Sequence, residues 1–150
     1  MGGFYGLKAA AEAGFTALAL LCPACEKILL DALDEAEETS SDTESFEAGA
    51  ARSAAPTRWE VPEFRAYLER QDSLALAARV RCPVLLVHAR ADTVVPFESS
   101  LELARHLAGD TTLLALAGGS HTSAQHDPAI HRLTARWLWG QVRNACTGRT

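Results

Sequence analysis

The sequence predicts an α/β fold, a three-stranded parallel sheet with flanking helices. Two observations carry that expectation. Three short apolar runs, FTALALL (15–21), CPVLLVHA (82–89) and TTLLALA (111–117), are nearly continuous rather than alternating, as strands buried on both faces are. Helical patterns lie between and after them, and strand alternating with helix implies parallel pairing through right-handed crossovers. The size agrees, since 150 residues with 48% hydrophobic and 22% charged side chains suit one domain with a real core.

The elements follow in chain order. In the opening MGGFYGLKAA, Gly2 and Gly3 read as the end of a tight turn, because glycine reaches backbone angles that cost other residues more. Residues 4–13, rich in Ala with Leu7 and Lys8, form the first expected helix, and 15–21 the first strand. CPAC (Cys22–Cys25) follows, with a helix expected over 23–33. The stretch 34–58, DEAEETSSDTESFEAGAARSAAPTR, is acidic, then small and Pro-containing, and reads as a solvated loop. Helical spacing resumes over 60–79 with Phe64, Tyr67, Leu68, Leu74 and Leu76. After the second strand, 98–108 places Leu101, Ala104, Leu107 and Ala108 on one face, and 128–142 does the same with Ile130, Leu133, Trp137 and Leu138. Trp137 and Trp139 are expected to cover the sheet.

Composition excludes several function classes. A net charge of −5 and a pI near 5.5 offer no field for a polyanionic backbone, so nucleic acid is not an expected partner. No apolar run is long enough for a membrane span, and AGFTALALL lacks the basic leader and cleavage site of a secretory signal, so a cytoplasmic location is expected. Cysteines at 22, 25, 82 and 146 do not make a disulfide framework in a chain this apolar. Cys22 and Cys25 do raise a thiol redox alternative, since a Cys-x-x-Cys between a strand and a helix is where a helix N-terminus lowers a thiol pKa.

Two segments carry the candidate chemistry. In PVLLVHARADTVVP a buried strand ends at His88, a short turn delivers Asp92, and Pro96 precedes a helix. Groups at the carboxyl ends of parallel strands form the sites of open α/β sheets. Asp92 alone would equally serve as a turn former or helix cap. In LLALAGGSHTSAQHDP another strand ends in two glycines, and the loop presents His121 before Pro128 opens the last helix. Strands lie about 4.8 Å apart, so residues just past neighbouring ends can meet. Asp92 would then hold the ring of His121 while its other nitrogen accepts a proton. Ser120 and Ser123 flank His121 without the strained elbow a nucleophile needs. His88 reads as structural and His106 as a helix-surface residue. His121, His126, Asp127 and His131 match no zinc spacing, so no metal site is expected.

These motifs resemble the C-terminal half of an α/β-hydrolase, close to serine-aminopeptidase-like and monoacylglycerol-lipase-like esterases. HARADTVVP is similar to the family's His-Gly-x-x-Asp-x-x-Val-Pro, with Ala89 where Gly is usual, and GGSHTSAQHDP to its Gly-x-x-His loop; Asp92 and His121 stand 29 positions apart. The resemblance makes Asp92 and His121 the catalytic acid and histidine of a serine hydrolase acting by acyl transfer on a small-molecule ester or amide, without a cofactor. It makes 1–150 a partial hydrolase domain with 23–79 as a small helical cap, where Phe46, Trp59, Phe64 and Tyr67 are candidates to line an acyl pocket. Family order puts the nucleophile on a Gly-x-Ser-x-Gly elbow. MGGFYGLKAA is similar to the far side of that elbow, so the nucleophile is expected immediately before Met1 and the chain as written is expected to be inactive. A start assigned inside a longer reading frame would produce this. Strands missing beside 15–21 would leave an apolar edge, from which self-association is expected. The remaining alternative is a non-catalytic interaction fragment.

Overall fold

The computed structural model describes residues 2–40 and 61–148. Its elements run α1 (Gly2–Ala13), β1 (Leu18–Leu21), α2 (Glu26–Ser40), α3 (Val61–Glu69), α4 (Ser73–Ala77), β2 (Val84–Ala89), α5 (Phe97–His106), β3 (Thr111–Leu116), α6 (His121–His126) and α7 (Pro128–Thr147). They form two compact units, one from residues 1–25 with 72–150 and one from Glu26–Gln71.

The larger unit holds the sheet, in the order β1-β2-β3 with every pair parallel. Leu18 stands opposite Val84, and Val84 opposite Thr111, so the three strands start level; β2 and β3 also end level, while β1 stops two residues short, at Leu21 opposite Val87. All six residues of β2 are buried, which its continuous apolar run requires. β1 alternates between buried and half-buried, and β3 is half-buried along most of its length, because each lies at an edge. Cys22, Leu85, Val87, Ala89, Ala124 and Ile130 make a core cluster on which Trp137 packs. Burying a residue such as Leu85 contributes about 1.5–3 kcal/mol.

Several element boundaries differ from the expectation, each for a physical reason. Gly2 and Gly3 belong to the first turn of α1 rather than to a turn that ends a strand. A Cβ on Gly3 would stand 2.8 Å from the Pro23 backbone, so this glycine allows a close approach. Gly14, at φ +70, closes α1 by donating its N–H to Ala10. The expected helix over 60–79 is two helices. Gln71 ends the first segment, and Asp72 starts α4 by accepting the N–H groups of Leu74 and Ala75 at 3.0 and 2.9 Å.

The smaller unit is built on α2 and α3. Residues 34–40, expected in a loop, continue α2, because Glu and Ala favour helix even where the stretch is too acidic to look like core. Arg65 and Asp34 pair at 2.7 Å between the two helices. Phe64 and Tyr67 are half-buried on α3, while Phe46 and Trp59 lie outside the described residues.

Two buried helix faces are also rotated from the expected ones. α5 buries Phe97, Ser100 and Leu103, a stripe at every third residue that includes a polar side chain. α7 buries Ile130 and Thr134, leaving Leu133 44% exposed. Trp137 meets the core but Trp139 is 64% exposed, since residues two apart on a helix point to opposite sides. No described helix is long and apolar enough to cross a membrane.

Candidate functional site

The site forms where β2 and β3 end side by side, with His88 level with Ala115 and Ala89 with Leu116. After β2 the chain turns at once, Asp92 donating its N–H to the Ala89 carbonyl at 3.2 Å. Asp92 Oδ1 then accepts the N–H groups of Val94 and Val95 at 2.9 and 2.8 Å, locking the carboxylate to its own loop. With Oδ1 so committed, Oδ2 faces the loop after β3 and accepts Nδ1–H of His121 at 2.8 Å. The two roles open for Asp92 in the sequence, turn former and histidine partner, are thus both filled by one side chain.

Local chemistry also holds His121. Gly119 takes φ +97, an angle that favours glycine, and Ser120 caps α6 in a capping box with Ser123. Ser123 Oγ accepts the Ser120 N–H at 2.7 Å, and Ser120 Oγ accepts the Ser123 N–H at 3.3 Å. Both hydroxyls are engaged in shaping the loop, and neither is bonded to the ring of His121. The His121 side chain is 20% exposed and the Asp92 carboxyl 0%. Burial alone would raise the Asp92 pKa. The Val95 N–H, the His121 ring and the Val94 N–H outweigh it and hold the group below its ordinary 3.8, so the carboxylate is ionised at neutral pH. With the Nδ1 proton on Asp92, the neutral ring keeps its lone pair on Nε2, which accepts from the side-chain amide of Gln125 at 2.9 Å. This arrangement can take up a proton at Nε2 and stabilise the resulting cation.

Three residues around Asp92 were not assigned to the site from sequence. His88 is wholly buried. Its Nε2–H donates to the Val95 carbonyl at 2.9 Å, and Nδ1 accepts from the Ser100 hydroxyl at 2.6 Å. Val95 is therefore held through its N–H by Asp92 and through its C=O by His88. Ser100 escaped notice because a buried serine on a helix has no apolar signal; its spacing from Phe97 and Leu103 was the available clue.

Cys22 is the third. It directly follows β1 at φ +46, the one non-glycine with positive φ among the described residues, and its N–H donates to the Val87 carbonyl at 2.8 Å. Burial pushes its thiol up to about 11, opposed by the Ala89 N–H and reinforced by the Asp92 carboxylate that its S–H meets. A redox thiol needs the opposite shift. α2 begins at Glu26, and the buried Cys22 thiol, shifted the other way, gives no support to the thiolate site that CPAC suggested.

Cys22, His88 and Asp92 bring one ligand atom each within 4.8 Å of one another, the only such grouping among the described residues. Each donor is already engaged: Oδ2 by His121, Nε2 by Val95, and the thiol by Asp92. The cluster is a buried hydrogen-bonded shelf under the acid. The other histidines do not converge. His106 bonds the Glu102 carbonyl, His131 donates from Nε2 to the Gln125 carbonyl, His126 is exposed, and Asp127 caps α7. An apolar groove of about 650 Å³ lies elsewhere in this unit, lined by Leu85, Leu114, Leu133, Trp137, Arg132 and Arg136 among others, without Asp92 or His121.

Comparison with known proteins places this geometry in context. The family model described as TAP-like protein, an α/β-hydrolase family, matches residues 45–145. Among solved structures the chain is similar to Est1E from Butyrivibrio proteoclasticus, with a TM-score of 0.61 and 15% identity over 94% of this chain and 58% of that one. It is likewise similar to alpha/beta hydrolase domain-containing protein 10 from mouse, with a TM-score of 0.62 and 22% identity over 93% and 59% of the two chains. A third similar structure is described as "LipS and LipT, two metagenome-derived lipolytic enzymes", with a TM-score of 0.62 and 20% identity over 95% and 62%. At these identities the likeness shows the fold. The chain spans less than two thirds of the length of each of these structures. No curated protein matches the sequence.

Proposed function

The chain belongs to the α/β-hydrolase family of TAP-like proteins, and from that premise we propose that it carries the acid and the base of a serine hydrolase acting on a small-molecule ester or amide. The observation that supports this reading is the 2.8 Å bond from His121 Nδ1–H to a buried, ionised Asp92 that is itself held by two backbone N–H groups. In the proposed cycle Asp92 orients the ring and stabilises its cation. His121 Nε2 takes the proton of a nucleophilic hydroxyl as that oxygen attacks the carbonyl, then returns it to the leaving group. In the second half it deprotonates water, which releases the acyl group.

Ser120 and Ser123 spend their hydroxyls on the capping box. Following the family order of nucleophile, acid and histidine, we assign the nucleophile to an elbow serine outside these 150 residues, and the isolated chain to an inactive form. The test is hydrolysis of a short-chain aryl ester. The 150-residue chain is expected to show no turnover that depends on His121. Joined to the nucleophile-bearing half, it should hydrolyse the ester, and Asp92→Asn or His121→Ala should each lower kcat roughly 10²–10⁴-fold. Full activity in either variant would remove that residue from the mechanism.

A further inference from the structure

We propose that Gln125 is a positioning residue for His121, the resting partner of Nε2 that an incoming hydroxyl has to displace; this rests on the reading of His121 as the base. The Nδ1 proton is committed to Asp92 at 2.8 Å, which leaves one lone pair on the ring, and the Gln125 amide nitrogen sits 2.9 Å from it. Gln125 lies one helical turn beyond His121 on α6, where i and i+4 side chains share a face.

The helix that carries both residues is short, but it is pinned at each end. Ser120 and Ser123 close its start, and the Asp127 N–H bonds the Ser123 carbonyl at its finish. The backbone carbonyl of Gln125 itself accepts Nε2–H of His131 from α7. Gln125 is consequently half-buried and anchored, not a free surface side chain.

A primary amide suits this position chemically. Its NH₂ donates to the lone pair of the neutral ring, and after rotation its carbonyl oxygen accepts from Nε2–H of the imidazolium. Leu or Met offers neither bond, and Lys only the first. Gln125 therefore keeps the ring aligned in both protonation states while masking the reactive lone pair. Any nucleophile hydroxyl competes for that same lone pair, so Gln125 sets how much of it is available.

Acylation of histidine by diethyl pyrocarbonate, followed residue by residue by mass spectrometry on the 150-residue chain, reads that availability directly. Gln125→Met keeps the side-chain volume and helix propensity but has no N–H. His121 labelling is expected to rise about 3–10-fold in Gln125→Met and in Gln125→Ala, with His106 and His126 unchanged and the buried His88 unlabelled. A rise in Gln125→Ala alone would mean simple unblocking and overturn the proposal, as would no rise in either. In the unmodified chain, a nuclear Overhauser contact between the Gln125 side-chain amide protons and the His121 ring is expected, and its absence would overturn the proposal equally. The labelling result does not depend on hydrolysis, so failure of the ester assay would strike the hydrolase reading and the competing hydroxyl with it, whereas failure of the labelling test would strike the masking of Nε2 by Gln125 alone.

Discussion

At the scale of single residues, Asp92 is the point on which the site turns, because one carboxylate satisfies two backbone donors and a ring. In Asp92→Asn the two N–H groups of Val94 and Val95 keep the amide oxygen, so the NH₂ faces Nδ1 of His121. Two donors then oppose each other, and the ring has to change tautomer, which nitrogen chemical shifts of His121 would report. The same substitution is expected to cost about 1–3 kcal/mol at neutral pH. A carboxylate whose folded pKa lies below its ordinary 3.8 contributes stability that is complete above that value and is lost as pH falls through the lower folded value. The difference in melting between parent and variant should therefore shrink below about pH 4; a constant gap would contradict the assignment. Cys22 supplies an independent check. A buried thiol pushed up to about 11 stays protonated and inert, so an alkylating reagent near pH 8 should modify the exposed Cys146 and spare Cys22 until the chain unfolds.

At the scale of elements, close contacts rather than propensity decide several boundaries. Gly3 is helical, and its value lies in the 2.8 Å approach of Pro23. Gly3→Ala, which would favour an isolated helix, is expected to destabilise this protein by about 1–3 kcal/mol in a denaturation experiment, because the added methyl meets backbone. A stabilised variant would show that α1 does not pack against Pro23 as described. The apolar periodicity of β2 and of the first strand was legible, since continuous runs have one reading between turn signals. The face of α5 was not legible. Ser100 is buried there with its hydroxyl bonded to His88, and a periodicity count scores it as surface.

At the scale of the whole molecule, the sheet runs β1-β2-β3, and β1 pairs with a strand on one side only among the described residues. The Leu18 and Cys22 N–H groups both turn toward β2, and among the described residues the opposite row of backbone groups meets no strand. An edge of this kind templates association. In size-exclusion chromatography the 150-residue chain is expected to elute above its monomer mass and to shift with concentration; a monomer with a cooperative melt would argue against an adhesive edge.

The fold class and the Asp92–His121 pair were both accessible from the sequence, because both depend on local signals: apolar runs for the strands, and a chemical group placed just past each strand end. Parallel neighbouring strands that end level then bring the two groups together without further information. The shelf beneath Asp92 was not accessible. Cys22 follows β1, while His88 and Ser100 come from β2 and α5, and what unites them is burial next to one carboxylate. Gln125 is a similar case, an ordinary polar helix residue until Nδ1 of His121 is committed to Asp92 and its remaining lone pair acquires a direction. Hydrogen bonds between distant elements leave no period in a sequence, and only the tertiary structure could decide which polar groups are buried together.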